Sequence, residues 1–253
     1  RRSRVRKLTQ LPKKVFRDAT VETCIFVVSP TSKVSGQKII VEALDSKGVA
    51  KEVRRFSQSD IGRAHLYNFG LYGTIAEMSM VDRIREAGIP LQQLVSFVYG
   101  FKTADDEKFL FDKKQNDDCR QFIRSAAVHR YWHDGPAEWI WYCPELMTRN
   151  KKTARPGDRE RFESEKVIVA RMGKSVMACY DPGGLYVKDA MLLLPRAGGP
   201  SLHFVLAVLN SKLMNEFYAQ FFQTIDVMKN AILGLPIKMP SKGKPSEQRL
   251  YDE

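Results

Sequence analysis

The stretch from Glu165 to Pro195, EKVIVARMGKSVMACYDPGGLYVKDAMLLLP, limits the possible folds more than any other part of the chain. Short apolar, β-rich runs are separated at Gly173 with Lys174 and again at Asp181 to Gly184, the pattern of a β-meander. The segment that follows, SLHFVLAVLNSKLMNEFYAQFF, changes period. Phe204, Val208, Phe217 and Phe221 share a helical stripe with Leu213 close to it, which predicts one long helix packed deep in the domain. Upstream, PLQQLVSFVYGFKTADDEKFLF reads as two apolar strands flanking a polar turn, and RQFIRSAAVHRYWHDGPAEWIWY ends in a strongly apolar strand. Residues 147–161, MTRNKKTARPGDRER, are polar, basic and punctuated by Pro156 and Gly157, so an exposed loop is expected there. The class is α+β.

The N-terminal 17 residues are basic, and the sequence then turns apolar and β-branched at ATVETCIFVVSP, a strand. GQKIIVEALDSKGVAKEVRRF predicts a strand at Lys38 to Leu44, a turn at Asp45 to Gly48 and a returning strand at Val49 to Phe56, a small antiparallel unit resembling the edge of a sheet. Thr74 can cap a helix from Ile75 to Ala87, with Glu77 in the capping-box position and Gly88 and Pro90 closing it; this reads as a connector. The ending KMPSKGKPSEQRLYDE has lost apolar periodicity and reads as a mobile tail.

With 253 residues, 43% of them hydrophobic, the chain can bury one main core and an attached segment. No run approaches the roughly 18 apolar residues of a membrane span, and RRSRVRK precedes no apolar signal region, so a cytoplasmic protein is expected. Cys24, Cys119, Cys143 and Cys179 form no C-x-x-C pair and read as reduced core thiols. Lys and Arg number 41 against 29 Asp and Glu, a formal charge of +12, which puts nucleic acid first among partners.

No complete active site emerges. Asp181-Pro182-Gly183-Gly184 lies between strand-like runs and reads as a hairpin turn, not a cofactor loop, and Phe69-Gly70-Leu71-Tyr72-Gly73 is a lone G-x-x-G without a preceding strand. Asp45-Ser46-Lys47 and Asp112-Lys113-Lys114 are isolated D-x-K fragments, short of the carboxylate cluster that nuclease metals need. His129 and His133 lack a third ligand and read as structural. Trp132, Trp139, Trp141 and Tyr142 are dense around Ile140 and read as core.

Three segments in order resemble the C-terminal part of adenine-specific DNA methyltransferases of type I and type IIG restriction-modification systems, most closely the TaqI-like specificity domain. VFRDATVETCIFVVSP resembles the stretch that closes the methyltransferase sheet. LVSFVYGFKTADDEKFLF resembles the opening of the recognition domain, where the family carries a Gly-x-Lys-Thr-Gly turn; Ala104 replaces its last glycine here. FESEKVIVARMGKSVMACYDPGGLYVKDAMLLLP with FVLAVLNSKLMNEFY resembles the characteristic end of the domain. The resemblance implies residues 1–60 as the end of a methyltransferase-like domain, 61–90 as connector, 91–240 as a β-rich target-recognition domain and 241–253 as tail. It also implies duplex DNA and an upstream methyltransferase domain of the same protein as partners. The Asn-Pro-Pro-aromatic motif and glycine-rich cofactor loop of such enzymes are missing here, so S-adenosylmethionine is expected for the parent enzyme and no cofactor for this chain.

Reading DNA requires cations along the phosphates and side chains that reach base edges. The turn Gly100 to Phe109 offers Lys102, Thr103 and Lys108. The loop at 149–161 offers Arg149, Asn150, Lys151, Lys152, Arg155, Arg159 and Arg161, and the next strand pair offers Arg171 and Lys174 at its tip. The alternative is a protein-interaction module whose basic face docks an acidic subunit of a DNA-defence complex without base readout.

Overall fold

The computed structural model describes residues 3–12, 15–16, 23–30, 38–57, 83–150, 152–171, 173, 175–221, 227 and 229–240. The chain divides into two units, Arg1–Met78 and Ser79–Glu253.

In the first unit a four-stranded sheet has the order β2-β1-β3-β4, with β1 at Ser3–Gln10, β2 at Cys24–Pro30, β3 at Lys38–Leu44 and β4 at Ala50–Ser57. β3 and β4 form the expected hairpin. Asp45 closes it by accepting from the amides of Lys47 and Val49 at 2.8 and 2.9 Å, and Gly48 takes the left-handed conformation with φ +79°. The basic N-terminal run itself contains β1, which pairs parallel with β3 and antiparallel with β2. Its alternate residue Leu8 joins Ile39 and Val41 in a small core. Ile25, Phe26, Val27 and Val28 of β2 stay exposed. The predicted helix at Ile75–Ala87 lies mostly outside the described residues; residues 83–87 are helical.

The second unit is built on two sheets. One has the order β11-β10-β13-β6, with β6 at Ser96–Tyr99, β10 at Lys166–Val169, β11 at Ala178–Asp181 and β13 at Met191–Leu194. The other has the order β12-β8-β9-β7, with β7 at Leu110–Phe111, β8 at Cys119–Arg124, β9 at Glu138–Trp141 and β12 at Tyr186–Lys188. A short ladder joins β5 (Ile89–Pro90) to β14 (Pro236–Ile237). The first sheet is covered on both faces, which is why KVIV and MLLL carry no polar alternation after Lys166. Val167, Val169, Met191 and Leu193 enter one core with the C-terminal helices, while Ile168 and Leu192 enter a second core with Phe101, Phe122, Ile140 and Tyr186.

The expected meander is only partly formed. β10 and β11 make the hairpin, but Asp181–Gly184 then carries the chain into the other sheet, where β12 runs parallel to β8, and β13 returns beside β10. The crossing is tightly held. Lys166, fully buried, donates to the carbonyl oxygens of Phe162 (2.6 Å) and Ser164 (3.1 Å) and pairs with Asp181. Burial pulls its ammonium below the ordinary lysine range, against the pull of Asp181. Gly183 lies so close to the Glu163 carbonyl that a Cβ would sit 2.4 Å from the oxygen.

The segment predicted as one long helix is two, α4 (Leu202–Asn210) and α5 (Lys212–Phe221), after α1 (Asp106–Phe109), α2 (Pro144–Asn150) and α3 (Arg159–Glu163). Ser211 is extended at ψ 150° and its hydroxyl accepts from the Met214 amide at 3.1 Å, so it ends one helix and caps the next. With the break, Val205, Leu209, Met214 and Tyr218 are buried together with the expected Phe217, while Phe204 and Val208 are half-buried and Leu213 is exposed. Asn210, buried at the break, clamps β11: its Oδ1 accepts from the Ala178 amide (3.0 Å) and its Nδ2 donates to the Ala178 carbonyl (2.8 Å). The expected loop at 147–161 is also more ordered than its composition implies, since α2 and α3 flank it and Met147, Ala154 and Pro156 are buried. The tail beyond residue 240 lies outside the described residues. The four cysteines are free thiols, with Cys119 and Cys179 buried.

Asn210→Ala strips the Ala178 amide of its partner inside the core and leaves the Ala178 carbonyl with the Tyr131 amide alone. A loss of about 2–3 kcal/mol is expected in urea unfolding, and an unchanged midpoint would contradict the clamp.

Candidate nucleic-acid interface

Val169 of β10 pairs with Ala178 of β11 and Met191 of β13, and Met191 pairs with Tyr99 of β6. These four residues form one row across the sheet, roughly 14 Å wide at the usual strand spacing. β6 and β10 end at this row, and β11 and β13 begin there. The segments at 100–105, 170–177 and 188–190 therefore leave from the same end of one rigid plate. The loop at 125–134 is docked there too, because the Tyr131 amide donates to the Ala178 carbonyl at 2.8 Å.

The two loops expected to carry the cations meet here. The Gly100 amide donates to Ala190 O and the Phe101 amide to Val187 O, both at 2.9 Å. The approach is so close that a Cβ on Gly100 would sit 2.3 Å from Val187 O. Lys102 and Arg155 then exchange both backbone hydrogen bonds, at 2.8 and 2.7 Å, as a directly opposed antiparallel pair. Both side chains are exposed. Beneath them Phe101, Phe122, Tyr142, Phe162 and Tyr186 form an aromatic cluster, with Phe162 and Tyr186 stacked at 4.6 Å. The Tyr142 hydroxyl donates to Gly157 O at 2.6 Å and anchors the second loop from below. Its pKa is pushed up to about 12 by burial and the neighbouring Tyr186, which keeps it a donor at any physiological pH.

Thr103, expected on the surface of the turn, is fully buried, and its hydroxyl donates to Asp106. This is a correction to the sequence reading: the residue builds the turn from inside. Asp106 also meets Lys188 (3.0 Å), which in turn meets Asp189 (2.9 Å). Burial works against ionising Asp106, yet Thr103, Lys188 and Arg124 outweigh it and hold the carboxyl below its ordinary 3.8. Burial likewise opposes the Lys188 ammonium, and the Asp189 and Asp106 carboxylates lift it above its ordinary 10.5. Alongside, Arg124 grips Glu138 through two bonds of 2.7 and 2.6 Å, and a cavity of about 540 Å³ opens over Asp106, Arg124 and Glu138. A larger cavity of about 1120 Å³, lined by Ile84, Phe204, Val208 and Met214, is apolar and shares no residue with this cluster. Sequence reasoning missed Asp106, Arg124, Lys188 and Asp189 because no local motif joins a short helix, the end of β8 and the end of β12.

The remaining expected residues separate by their partners. Arg171 is exposed, with its amide held by the Ser125 hydroxyl at 2.7 Å. Lys152 and Arg149 are exposed, and Lys108 lies 5.6 Å from the Phe109 ring centre. Arg159 and Arg161 are met by carboxylates of their own neighbourhood, Glu163 at 3.6 Å and Asp158 at 2.5 Å. Among the described residues no carboxylate pairs with Lys102, Lys152, Arg155 or Arg171. Lys151, Lys174 and the Asn150 side chain lie outside the described residues. His129 and His133 are on a turn, not a helix, and among the described residues no group of His, Cys, Asp and Glu is placed to hold a metal. Tyr142 is core as read, Trp139 and Trp141 are half-buried, and Trp132 is exposed.

Residues 121–237 match the TaqI-like C-terminal specificity domain, which bears out the resemblance over that range; the Lys102 turn lies upstream of it. No curated protein is similar to this chain. Solved structures similar to this chain at low identity include two restriction enzymes. The type IIG restriction endonuclease BpuSI aligns over 97% of this chain and 38% of its own, at 13% identity and TM-score 0.44. The type IIL restriction-modification enzyme MmeI, solved in complex with DNA, aligns over 98% and 36%, at 10% identity and TM-score 0.49. The chain thus spans well under half the length of either.

Two measurements check the turn. Ala104 holds φ +59°, a left-handed conformation that costs an L-residue about 1–2 kcal/mol, so Ala104→Gly is expected to raise stability by about 0.5–1 kcal/mol after the entropy of glycine is subtracted. The depressed Asp106 carboxyl stabilises the fold above its unfolded pKa, and that contribution disappears as pH falls through the folded value. Asp106→Asn should therefore flatten the acid limb of stability against pH below about 4, whereas curves that stay parallel would show the carboxylate to be idle. The raised Lys188 acts oppositely, stabilising at all pH below 10.5 and fading only as pH climbs through its folded value.

Proposed function

With residues 121–237 matching the TaqI-like C-terminal specificity domain, we propose that this chain is the DNA target-recognition part of a restriction-modification enzyme. The observation that carries this reading is that the opposed pair Lys102 and Arg155, and Arg171, are exposed, have no acid partner among the described residues, and sit on segments tied to one end of a sheet. Duplex DNA lines up anionic phosphates, and cations on short, backbone-bonded loops meet it with little entropy left to lose. Lysine suits the phosphates. Arginine adds a fork that can bond both O6 and N7 of guanine, and Asn150 has the groups to do the same for adenine.

In this reading the chain grips the duplex while a methyltransferase domain upstream in the same protein binds S-adenosylmethionine, flips the target adenine and methylates its N6. The division suits the residues present, because the loops supply binding groups and the buried Thr103 and Lys188, bonded to Asp106, supply rigidity. Arg159 and Arg161, engaged by carboxylates, take part in building the loop more than in meeting DNA.

A salt titration of duplex binding tests this by fluorescence anisotropy. About five phosphate contacts give a log–log slope near −4.5, and Lys102→Ala or Arg155→Ala should each reduce its steepness by about 0.9. Binding that ignores salt, or an acidic protein surface captured in place of DNA, would remove the proposal.

A further inference from the structure

The turn at residues 129–132 is docked on β11 at the same end of the sheet and presents side chains of another kind. The His129 amide donates to Trp132 O and the Asp134 amide to Ala127 O, both at 2.9 Å, so the turn is closed on itself while Tyr131 ties it to β11. Tyr131 holds φ +75°. A bulky residue rarely adopts that conformation, and turns that only connect use Gly or Asn there. The strain brings Arg130, Tyr131 and Trp132 to the surface, with Tyr131 54% and Trp132 57% exposed. In the second unit the exposed large apolar side chains among the described residues are Ile89, Tyr99, Tyr131, Trp132 and Leu213. All three aromatics of that set lie at the cationic end of the sheet.

The Trp132 ring is also held in place. The His129 imidazole stacks on it at 4.1 Å between centres and 23° between planes, and His129 Nε2 is itself bonded to Asp134 at 3.0 Å. One face of the indole is thus backed by a fixed ring, and more than half of the side chain remains open. The turn shows no exposed aliphatic residue that would suit an apolar protein partner. A flat, backed aromatic with the exposed Arg130 in the same turn fits the face of a nucleic acid base. Bases inside a duplex have both faces covered by neighbours, so only one that has left the stack can use such a surface.

We infer that Trp132 is a stacking platform for an unpaired DNA base, with Arg130 beside it for the adjoining phosphate. The inference rests on the DNA-recognition reading and adds to it a contact with a displaced base, at a tryptophan that reads as core from the sequence.

The test uses the 253-residue chain and two duplexes of one sequence, one fully paired and one with a 2-aminopurine opposite an abasic site. Wild type should bind the second more tightly and quench its fluorescence. Trp132→Ala should lose roughly 5- to 100-fold in affinity for that duplex, lose the quenching, and bind the paired duplex within about twofold of wild type. Trp132→Phe should keep most of both, and melting curves should match because the side chain is exposed. Lys102→Ala should weaken both duplexes alike. If Trp132→Ala retains the quenching and the preference, the platform is wrong. If wild type binds paired DNA with the expected salt slope but ignores the unpaired base, the platform alone fails; if it binds neither duplex, the recognition reading falls and takes the platform with it.

Discussion

A sheet buried on both faces dictates most of what the second unit can be. Val167 and Val169 point into one core and Ile168 into the other, so a slip of β10 by one residue would exchange apolar for apolar and the hydrophobic pattern alone leaves the register weakly specified. Buried polar groups settle it. Lys166 sits opposite Asp181 at one end of the β10–β11 ladder and bonds to it, and Asn210 clamps Ala178 opposite Val169 at the other. Each pin is satisfied only in the observed register. A displaced Lys166 would be a charge in the core without its counterion, which is far costlier than a mispacked valine. Such a plate has freedom only at its ends, and that is where the loops with chemistry leave it.

The backbone shows the same division. Among the described residues three non-glycine residues have positive φ, Ala104, Tyr131 and Asp189, and all three lie in loops at the row formed by Ala178, Val169, Met191 and Tyr99. At the opposite end of the sheet, where the chain crosses from β11 to β12, glycine takes the positive angles at Gly183 and Gly184. Strain persists where surrounding bonds over-determine it. At Ala104 those bonds are the Lys102–Arg155 pair on one side and Thr103–Asp106 on the other; at Tyr131 they are the closed turn and the bond to Ala178. The angle at Ala104 is one that glycine adopts without strain, and in this chain an alanine is held in it.

The sequence disclosed what depends on local pattern and hid what depends on distant partners. The β3–β4 hairpin followed from Asp45 and Gly48, and the β10–β11 hairpin from apolar runs around Gly173. The break at Ser211 was visible only in principle. Asn-Ser in mid-helix is a weak local signal, and what makes it decisive is Ala178, more than thirty positions away and legible only after β11 is placed. Trp132 misled for a similar reason, since its aromatic neighbours in sequence, Trp139 and Trp141, belong to β9, while Trp132 lies on a turn held by β11. Thr103 misled in the other direction: a polar residue in a polar turn reads as exposed, but its hydroxyl is consumed by Asp106.

Charge shows most clearly why position outweighs composition. The formal +12 and the seven candidate residues of 149–161 describe a basic loop, yet within it Arg159 and Arg161 are already occupied by Glu163 and Asp158. Arg161 lies over Gly157 as a brace for the same loop whose Tyr142 anchor lies below. What that bracing achieves is the placement of Arg155 opposite Lys102, two like charges that would separate if the backbone did not hold them together. A repulsive pair maintained at the surface by a ladder of hydrogen bonds is stabilised when an anion settles between its members, so the energy that makes the arrangement awkward in the free protein favours a bound anion there.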